Sequence, residues 1–249
     1  MKSALLLAVL FSLVAVARAS VTETFTHSYH VNPDVAIRLE NINGDIDITA
    51  WDKPDVSLVA EKRAKDDEEL NRLEIIIDAD PSRLSIKTKH TKKTGWFFHN
   101  WNSASVRYKL MVPVTARLEK IDSVNSDIVV TGVHGDINLE TVNGGVEARG
   151  VARNARLESV NGSVRLEFDA TDKVSEVRLS SVNGRVEVTL PKGASASVRT
   201  SSVNGSTRVD QPIRLSKSGR HSLSGEIGNG GGPTIAAETV NGGISIREK

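Results

Sequence analysis

One short phrase recurs along this chain and constrains its fold more than any other feature. An aliphatic residue, an asparagine and a glycine follow one another six times, and a seventh copy has serine in place of the glycine. Six of the seven copies carry Ser or Thr two residues before the asparagine. A repeat of this kind indicates a small structural unit that stacks on copies of itself. The copies are Ile42-Asn43-Gly44, Val124-Asn125-Ser126, Val142-Asn143-Gly144, Val160-Asn161-Gly162, Val182-Asn183-Gly184, Val203-Asn204-Gly205 and Val240-Asn241-Gly242.

The period is strict between residues 126 and 162. Ser126, Gly135, Gly144, Arg153 and Gly162 stand nine residues apart, and mostly aliphatic residues follow two and four positions after each of them. Alternation with a period of two is typical of a half-buried strand. We therefore interpret the Asn and Gly residues of the phrase as structural corners, where Asn-Gly is expected to supply the positive φ of a tight turn.

A single nine-residue unit cannot be stable alone. Burial of its three apolar side chains contributes about 1.5–3 kcal/mol each. Ordering its nine backbone units costs about 1–2 kcal/mol each. Stacking has to supply the difference, through hydrogen bonds between units and a shared core.

Two packings fit this pattern. In a β-solenoid, each unit is one face of a coil and two units complete a turn, which sets Glu147 beside Arg165 but also Glu140 beside Glu158. In an antiparallel β-sandwich, Asn-Gly would form type I′ hairpins. Charge pairing does not separate the two. We favour the solenoid because similar corners every nine residues suit a parallel stack. The wider spacings that follow Gly162 and Gly184 are interpreted as corner insertions.

Residues 20–122 follow the pattern less regularly. We interpret them as the opening of the same β-structure, so that residues 20–249 form a single β-repeat domain with regular repeats in 123–249. The first Asn-Gly copy already lies in this part. The predicted elements are strands at 35–39, 46–48, 56–60 and 106–112, a short helix near 65–73, and a hairpin of 73–78 with 84–88.

Residues 1–19 have the pattern of a cleavable signal peptide. Lys2 gives a positive start, an apolar run of about fourteen residues follows, and Ala17-Arg18-Ala19 has small residues where signal peptidase reads them. The run is too short to cross a bilayer core of about 30 Å, and no cysteine marks a lipoprotein cleavage point. We expect export to the periplasm, the cell surface or the medium, without a transmembrane helix in the mature chain.

The order of these features resembles a known bacterial family. Asn43-Gly44-Asp45-Ile46, a charged helix, Met111-Val112-Pro113, the strand repeats, Gly225-Glu226-Ile227-Gly228-Asn229-Gly230 and a closing Thr239-Val240-Asn241-Gly242-Gly243-Ile244 are similar to the "putative adhesin" family, domain of unknown function 4097. The resemblance covers nearly all of the mature chain. It implies an exported or envelope β-solenoid-like protein, and no established catalytic residues to carry over.

The segment from residue 87 to 101 is unusual because it holds four of the chain's ten aromatic residues within a stretch of six consecutive residues. Aromatic rings beside lysines suit contact with a carbohydrate, an envelope lipid or a partner protein. They also suit a cap over an open end of the solenoid, which we favour. The candidate contact residues are Lys92, Lys93, Trp96, Phe97, Phe98 and Trp101.

Other chemistry finds little support in the sequence. The chain has no cysteine, its six histidines lack metal-site spacing, and no serine-hydrolase or phosphate-binding motif is present. An aspartate after the corner occurs only at Asp45, Asp127 and Asp136, too few oxygens for calcium. A net charge of +1 argues against nucleic-acid binding. We expect no cofactor, metal or catalytic residue.

The expected function is therefore that of a non-enzymatic exported protein that contacts an envelope glycan, lipid or protein through an extended β surface. A glycan-binding role for the row of asparagines is less favoured than a structural one, because an asparagine amide can satisfy corner backbone groups. The alternative function is a carbohydrate-active β-helix enzyme, a polysaccharide lyase or hydrolase, which needs clustered carboxylates in a groove. The expected outward charges, such as Glu147, Arg149 and Arg165, instead alternate in sign as on a solvated surface.

Overall fold

The computed structural model describes residues 20–91 and 104–249. The predicted signal peptide and the six candidate contact residues of the aromatic segment lie outside the described residues. Within these ranges the chain is almost entirely β-strand, with one helical turn. The elements are β1 Val21–His30, β2 Ala36–Glu40, β3 Ile46–Trp51, β4 Asp55–Ala64, α1 Asp67–Leu70, β5 Leu73–Asp80, β6 Arg83–His90, β7 Ser105–Pro113, β8 Arg117–Asn125, β9 Ile128–Thr131, β10 Ile137–Asn143, β11 Val146–Val151, β12 Ala155–Asn161, β13 Val164–Phe168, β14 Glu176–Ser181, β15 Val186–Leu190, β16 Ala196–Ser202, β17 Thr207–Val209, β18 Ile213–Ser218, β19 Ser222–Ile227, β20 Thr234–Thr239 and β21 Ile244–Glu248.

The strands form two long sheets joined at the asparagine corners. The first sheet has the order β1-β4-β7-β3-β9-β11-β13-β15-β21-β17, and the second has the order β18-β19-β16-β20-β14-β12-β10-β8-β2-β6-β5. Each coil, or rung, gives one strand to each sheet, and neighbouring rungs pair in parallel. In the described ranges, antiparallel pairs occur only towards the two ends of the stack. The predicted β-solenoid-like fold is confirmed.

The register of the central rungs is that of a coil of two nine-residue units. Glu147 lies beside Arg165 and Arg149 beside Glu167 in the first sheet, while Glu140 lies beside Glu158 in the second. The strands on either side of an Asn-Gly corner belong to different sheets, so these corners are not the hairpin turns of the sandwich alternative.

The spatial order of the rungs departs from their order in the chain at both ends. The first rung, β2–β3, lies between β6–β7 and β8–β9. The last rung, β20–β21, lies between β14–β15 and β16–β17. The stretch from Gly184 to Gly205 is therefore not a coil with a corner insertion, because Gly242 lies between them in the stack. The first and last rungs of the chain therefore each pair in parallel with a neighbouring rung on both sides.

The predicted helix near 65–73 is shorter than expected. It spans Asp67–Leu70, and the Asp66 side chain caps it by accepting a hydrogen bond of 2.8 Å from the Glu69 amide. Leu70 is buried, but Leu73 already begins β5. One turn is enough because only a single helical side chain reaches the core.

The core is a column of inward-facing aliphatic side chains between the sheets, and Tyr108 is among its largest fully buried members. The Tyr108 hydroxyl lies 2.8 Å from Thr88 Oγ1. Burial raises the pKa of Tyr108 to about 12, although the hydrogen bond with Thr88 acts in the opposite direction. The phenol is therefore neutral in the folded protein at pH values where an exposed tyrosine is already ionised.

This burial predicts a loss of stability at alkaline pH. Unfolded tyrosine ionises near pH 10, so the unfolded chain releases its proton first and stability falls between about pH 10 and 12. The expected slope from this residue is about 1.4 kcal/mol per pH unit. Urea unfolding across this interval should show a smaller fall for Tyr108→Phe than for the wild type. Equal slopes in the two proteins would contradict the prediction.

Candidate interaction surface

The corner asparagines form one continuous hydrogen-bonded column, which we call the asparagine ladder. In each of six successive contacts, the Nδ2 of one asparagine donates to the Oδ1 of its neighbour at 2.7–2.9 Å. The ladder ends where Asn43 Nδ2 donates to the Ala104 carbonyl at 3.1 Å. All the amides point the same way, so each bond polarises the next. Its members are, in spatial order, Asn43, Asn125, Asn143, Asn161, Asn183, Asn241 and Asn204.

A second row of hydrogen bonds lies beneath the ladder and explains the Ser or Thr two residues before each asparagine. All six hydroxyls are buried, and five of them donate at 2.8–3.0 Å to the corner carbonyl of the neighbouring rung, as Ser159 does to Gly144. The sixth, Ser123 Oγ, lies 2.6 Å from Ser126 Oγ. Where serine replaces the corner glycine, the Ser126 hydroxyl itself donates to the Gly44 carbonyl at 2.7 Å. In the copy that lacks a hydroxyl, buried Asn41 donates to the Gly44 and Val106 carbonyls, both at 2.8 Å.

The corner glycines are needed mainly for close stacking and not for the positive φ that the sequence suggested. Gly44 and Gly144 have φ of 103° and 154°, but the corner glycines of the later rungs do not have positive φ, and no corner asparagine does either. A Cβ on Gly162 would lie 1.9 Å from the Gly144 carbonyl oxygen. The expectation of positive φ at the Asn-Gly corners is met by Gly44 and Gly144 and was wrong for the other four corner glycines, because the corner joins two sheets and packs backbone on backbone.

An exposed row of aliphatic side chains runs beside the asparagine ladder, and we call it the aliphatic ribbon. Each of its valines is 39–59% exposed, although every one belongs to the repeated phrase. Because the Ser or Thr side chain points inward, the next residue in the strand has to point outward. With about 4.8 Å between strands, the ribbon is roughly 29 Å long. Its members are, in spatial order, Ile42, Val124, Val142, Val160, Val182, Val240 and Val203.

A row of carboxylates runs beside the ribbon on the same outer face. Each carboxylate residue precedes a ribbon residue by two positions in the chain. Glu40, Asp122, Glu140 and Glu158 lie in register on four neighbouring strands. Together with the nearby ribbon valines they line a shallow groove of about 480 Å³. This carboxylate row and the aliphatic ribbon form one continuous surface that is apolar on one side and acidic on the other.

The members of the carboxylate row differ in their partners. Glu40 contacts Lys87, Asp122 contacts Lys120 at 2.8 Å, and Glu158 contacts Arg156 at 2.7 Å. A hydrogen bond from Lys87 is the main reason why the pKa of Glu40 is lowered.

The middle of the groove is different. Among the residues that the structure describes, Glu140 has no ion-pair partner, because Asn138 stands where its neighbours have a basic residue. Asp122 Oδ1 is buried and has no hydrogen-bond partner in the described chain. The centre of the groove therefore offers the unpaired carboxylate of Glu140 to a ligand, whereas the unsatisfied Asp122 oxygen is closed off from it.

The outer face of the opposite sheet carries charges of alternating sign that pair with one another. Glu187 contacts Arg165 at 3.1 Å, Arg185 at 3.5 Å and Arg247 at 3.8 Å. Long, paired and solvated side chains of this kind contribute little to stability. Over the described strands, this face has no apolar row comparable to the aliphatic ribbon.

Two of the corner aspartates, which are too few for a calcium repeat, form hydrogen bonds between rungs. Asp127 Oδ1 accepts a hydrogen bond of 2.6 Å from the Gly145 amide, and Asp136 Oδ1 accepts one of 3.2 Å from the Asn154 amide. Each carboxylate thus joins its rung to the next. Within residues 20–91 and 104–249, no group of three or more His, Asp or Glu side chains is placed to hold a metal ion.

Sequence reasoning located the corners but missed the aliphatic ribbon. The structure brings the corner asparagines and glycines into one column, while the candidate contact residues of the aromatic segment lie outside the described ranges. The signal for the ribbon was present in the repeated phrase itself. In Thr141-Val142-Asn143, an inward hydroxyl fixes the valine on the outer face, although the valine is the apolar residue.

The chain is similar to a known protein family and to solved structures. It matches the Toastrack DUF4097 family model over residues 34–247. A crystal structure of a "putative cell adhesion protein" from Clostridium sporogenes has a TM-score of 0.50 at 13% identity, and the match covers 91% of this chain and 100% of that one. A "putative adhesin" from Bacteroides fragilis has a TM-score of 0.37 at 12% identity, covering 91% and 97% of the two chains.

A "putative lipid binding protein" from Parabacteroides distasonis has a TM-score of 0.32 at 13% identity, covering 91% of this chain and 96% of that one. No curated protein matches significantly. Across the described part of the chain, no helix has the length and apolarity to span a membrane. Since the family model matches most of the chain, this protein belongs to the Toastrack DUF4097 family.

Proposed function

We propose that this protein is an exported, non-enzymatic binding protein that contacts a component of the bacterial envelope through the aliphatic ribbon and the adjoining carboxylate row. The observation that carries the proposal is the ribbon, which has one aliphatic side chain per rung over seven rungs and exposed valines in six of them. A surface that only has to be soluble has no need of such a row. Extended apolar patches rimmed by polar groups are typical of interaction sites.

The ribbon also has the geometry of a binding surface. The asparagine ladder and the buried hydroxyls hold the backbone of every rung in register, so the valines form a straight and rigid row. A rigid surface loses little conformational entropy when a partner binds. The carboxylate of Glu140, which has no ion-pair partner in the described chain, lies beside it and would receive hydrogen-bond donors of a partner. An envelope glycan, lipid or protein that combines apolar groups with donors has the matching chemistry.

The carboxylate row is also the one observation that favours a polysaccharide-cleaving enzyme. A general acid in such an enzyme needs a raised pKa. The hydrogen bond from Lys87 instead lowers the pKa of Glu40, and Asp122 and Glu158 each lie in an ion pair with a basic residue. This arrangement suits binding better than acid catalysis.

The proposal is tested with paired isosteric substitutions in the ribbon. Val142→Thr with Val160→Thr keeps side-chain shape and β-branching but replaces two methyl groups by hydroxyls. The purified chain should bind one or more of the separated envelope glycans, lipids and proteins, and the double variant should bind about tenfold or more weakly. Affinity is measured by calorimetry or sedimentation. Val129→Thr, the same change on the opposite sheet's outer face, is the matched control.

Three results would contradict the proposal. Equal binding by the double variant and the wild type would exclude the ribbon as the contact surface. Turnover of an envelope polysaccharide that is lost in Glu140→Gln would favour the enzyme. Mass spectrometry of the chain after expression with its predicted signal peptide should give an N-terminus at Ser20, and an uncut cytoplasmic product would argue against export.

A further inference from the structure

The four outermost strands of the two sheets differ in how open their edges are. β17 has only three residues. β18 is irregular, with a register shift between Leu215 and Lys217, and β5 carries three acidic residues. Short strands, bulges and charges are the devices by which proteins prevent edge-to-edge pairing. Three of the four edges of the described sheets are therefore protected.

β1 is neither short nor bulged, and it carries fewer charges than β5. It is ten residues long, pairs with β4 without a register shift, and contains neither Pro nor Lys nor Arg. Its one acidic residue is Glu23. Its second edge faces away from β4 and has no strand partner in the described chain. The strand therefore presents a long, regular row of backbone donors and acceptors.

One face of β1 carries an aromatic row. Phe25, His27 and Tyr29 lie opposite the inward-facing residues of β4, so they are on the core side of the sheet. The ring centres of Phe25 and His27 are 6.2 Å apart, and those of His27 and Tyr29 are 4.5 Å apart. Phe25 is 37% exposed, because no described strand of the second sheet lies opposite β1 at this end.

We propose that β1 pairs antiparallel with β1 of a second copy of this chain, with Phe25 opposite Phe25 on the two-fold axis. Directly opposed residues share a face of the sheet, so core-side residues of one copy must meet core-side residues of the other. The register centred on Phe25 satisfies this rule. It opposes Glu23 with His27 of the second copy, and Val21 with Tyr29.

On the outer face of the two strands, the same register pairs similar side chains, because Thr24 opposes Thr26 and Thr22 opposes Ser28. Aromatic pairs, Thr pairs and pairs of an acid with histidine all stabilise neighbouring strands. A shift by two residues would set Glu23 against Phe25 or Tyr29 and would lose the acid–histidine pair. The sequence of β1 is thus self-complementary in one register. The pair would join two ten-stranded sheets into one.

The absence of cysteine from the chain allows a clean test of this register. Directly opposed residues of antiparallel strands have Cα atoms about 4.5–5.5 Å apart, within the range of a disulfide. Under mild oxidation, Phe25→Cys should therefore give a covalent dimer in high yield. In Thr24→Cys, the two thiols would be offset by two residues and their Cα atoms about 8 Å apart, so this matched control should remain mostly monomeric.

Charged substitutions at Phe25 test the same contact without introducing a covalent bond. The wild-type chain should show a concentration-dependent dimer in sedimentation equilibrium. Phe25→Lys and Phe25→Glu should each be monomeric, because like charges would meet on the axis, and their equimolar mixture should dimerise again. The side chain is partly exposed, so circular dichroism should show both variants folded.

A wild-type chain that stays monomeric at all concentrations would overturn the proposal, and so would equal cross-linking of Phe25→Cys and Thr24→Cys. Dimerisation that persists in both charged variants would place the contact elsewhere and would also contradict it. Binding to envelope components is measured separately with the ribbon variants, so failure of this proposal leaves the proposed function intact.

Discussion

Gly162→Ala is expected to destabilise the fold by about 3 kcal/mol or more, the largest effect that we predict for a single added methyl group. The new Cβ would lie 1.9 Å from the oxygen and 2.4 Å from the carbon of the Gly144 carbonyl. Both atoms belong to the backbone of the neighbouring rung, so no side chain can move aside. Relief requires two rungs to separate, which weakens the hydrogen bonds on both sides.

The matched control is Gly145→Ala, one residue beyond a neighbouring corner. A Cβ there would lie 3.4 Å from the nearest atom, an ordinary contact, and φ is not positive. Alanine also restricts the unfolded chain, so the change in stability should stay below about 1 kcal/mol. Urea unfolding of both variants measures the difference. Similar stabilities for Gly162→Ala and Gly145→Ala would show that the corners are not limited by contact between backbones.

Asn161→Asp is expected to destabilise the protein by about 1–3 kcal/mol at neutral pH. Asn161 Nδ2 donates to Asn143 Oδ1 at 2.8 Å, and its own Oδ1 accepts from Asn183 at 2.8 Å. A carboxylate keeps the second bond but sets an acceptor against the Asn143 oxygen. The variant has nearly the same shape as the wild type, so the loss reports on the direction of the ladder and not on packing.

The pH dependence of this variant has a defined sign. In its protonated form the new carboxyl can donate to Asn143, so the folded state should raise its pKa above the unfolded value of about 4. The stability difference between variant and wild type should therefore be smallest at pH values below the unfolded pKa. It should grow as the pH rises through the folded pKa. Asn229→Asp, which adds the same charge where the asparagine is outside the ladder, should show no such dependence.

The repeated phrase was enough to predict the fold class and the register of the central rungs. Gly144 and Gly162 are separated by two nine-residue units, and a parallel coil is the simplest structure that brings such equivalent positions together. The Ser or Thr before each corner also recurs with the phrase, and it proved to be an inward polar contact. The predictions of fold class and register succeeded because they depend on local alternation and on contacts between neighbouring repeats.

The inserted rungs at the two ends could not be predicted in this way. The phrase at Val240-Asn241-Gly242 has the same local signals as the one at Val203-Asn204-Gly205, so nothing in either copy states which lies against Gly184. Parallel pairing is satisfied by both choices. The decision depends on the whole end of the stack, including the hairpin of β18 and β19, and that information is spread over distant contacts.

The candidate surface was likewise predictable from the sequence in part only. The charged residues of the outer faces were assigned correctly to solvent, but the valines of the ribbon were not, because an apolar residue in a strand is normally expected to be inward. Only the inward hydroxyl of the preceding residue reverses that expectation. β1 was missed for a related reason, since its alternation of Thr with aromatic residues does not mark a conventional buried face.

The sequence alone determined that this chain forms a stack of short strands with asparagine corners, because a single repeat unit cannot compensate for its own backbone entropy and must stack. The tertiary structure decided which rungs are neighbours, why the corner glycines are needed, and which apolar side chains remain outside. These properties arise from contacts between residues 18 to 82 positions apart, and local pattern carries no information about such contacts beyond the nearest repeat.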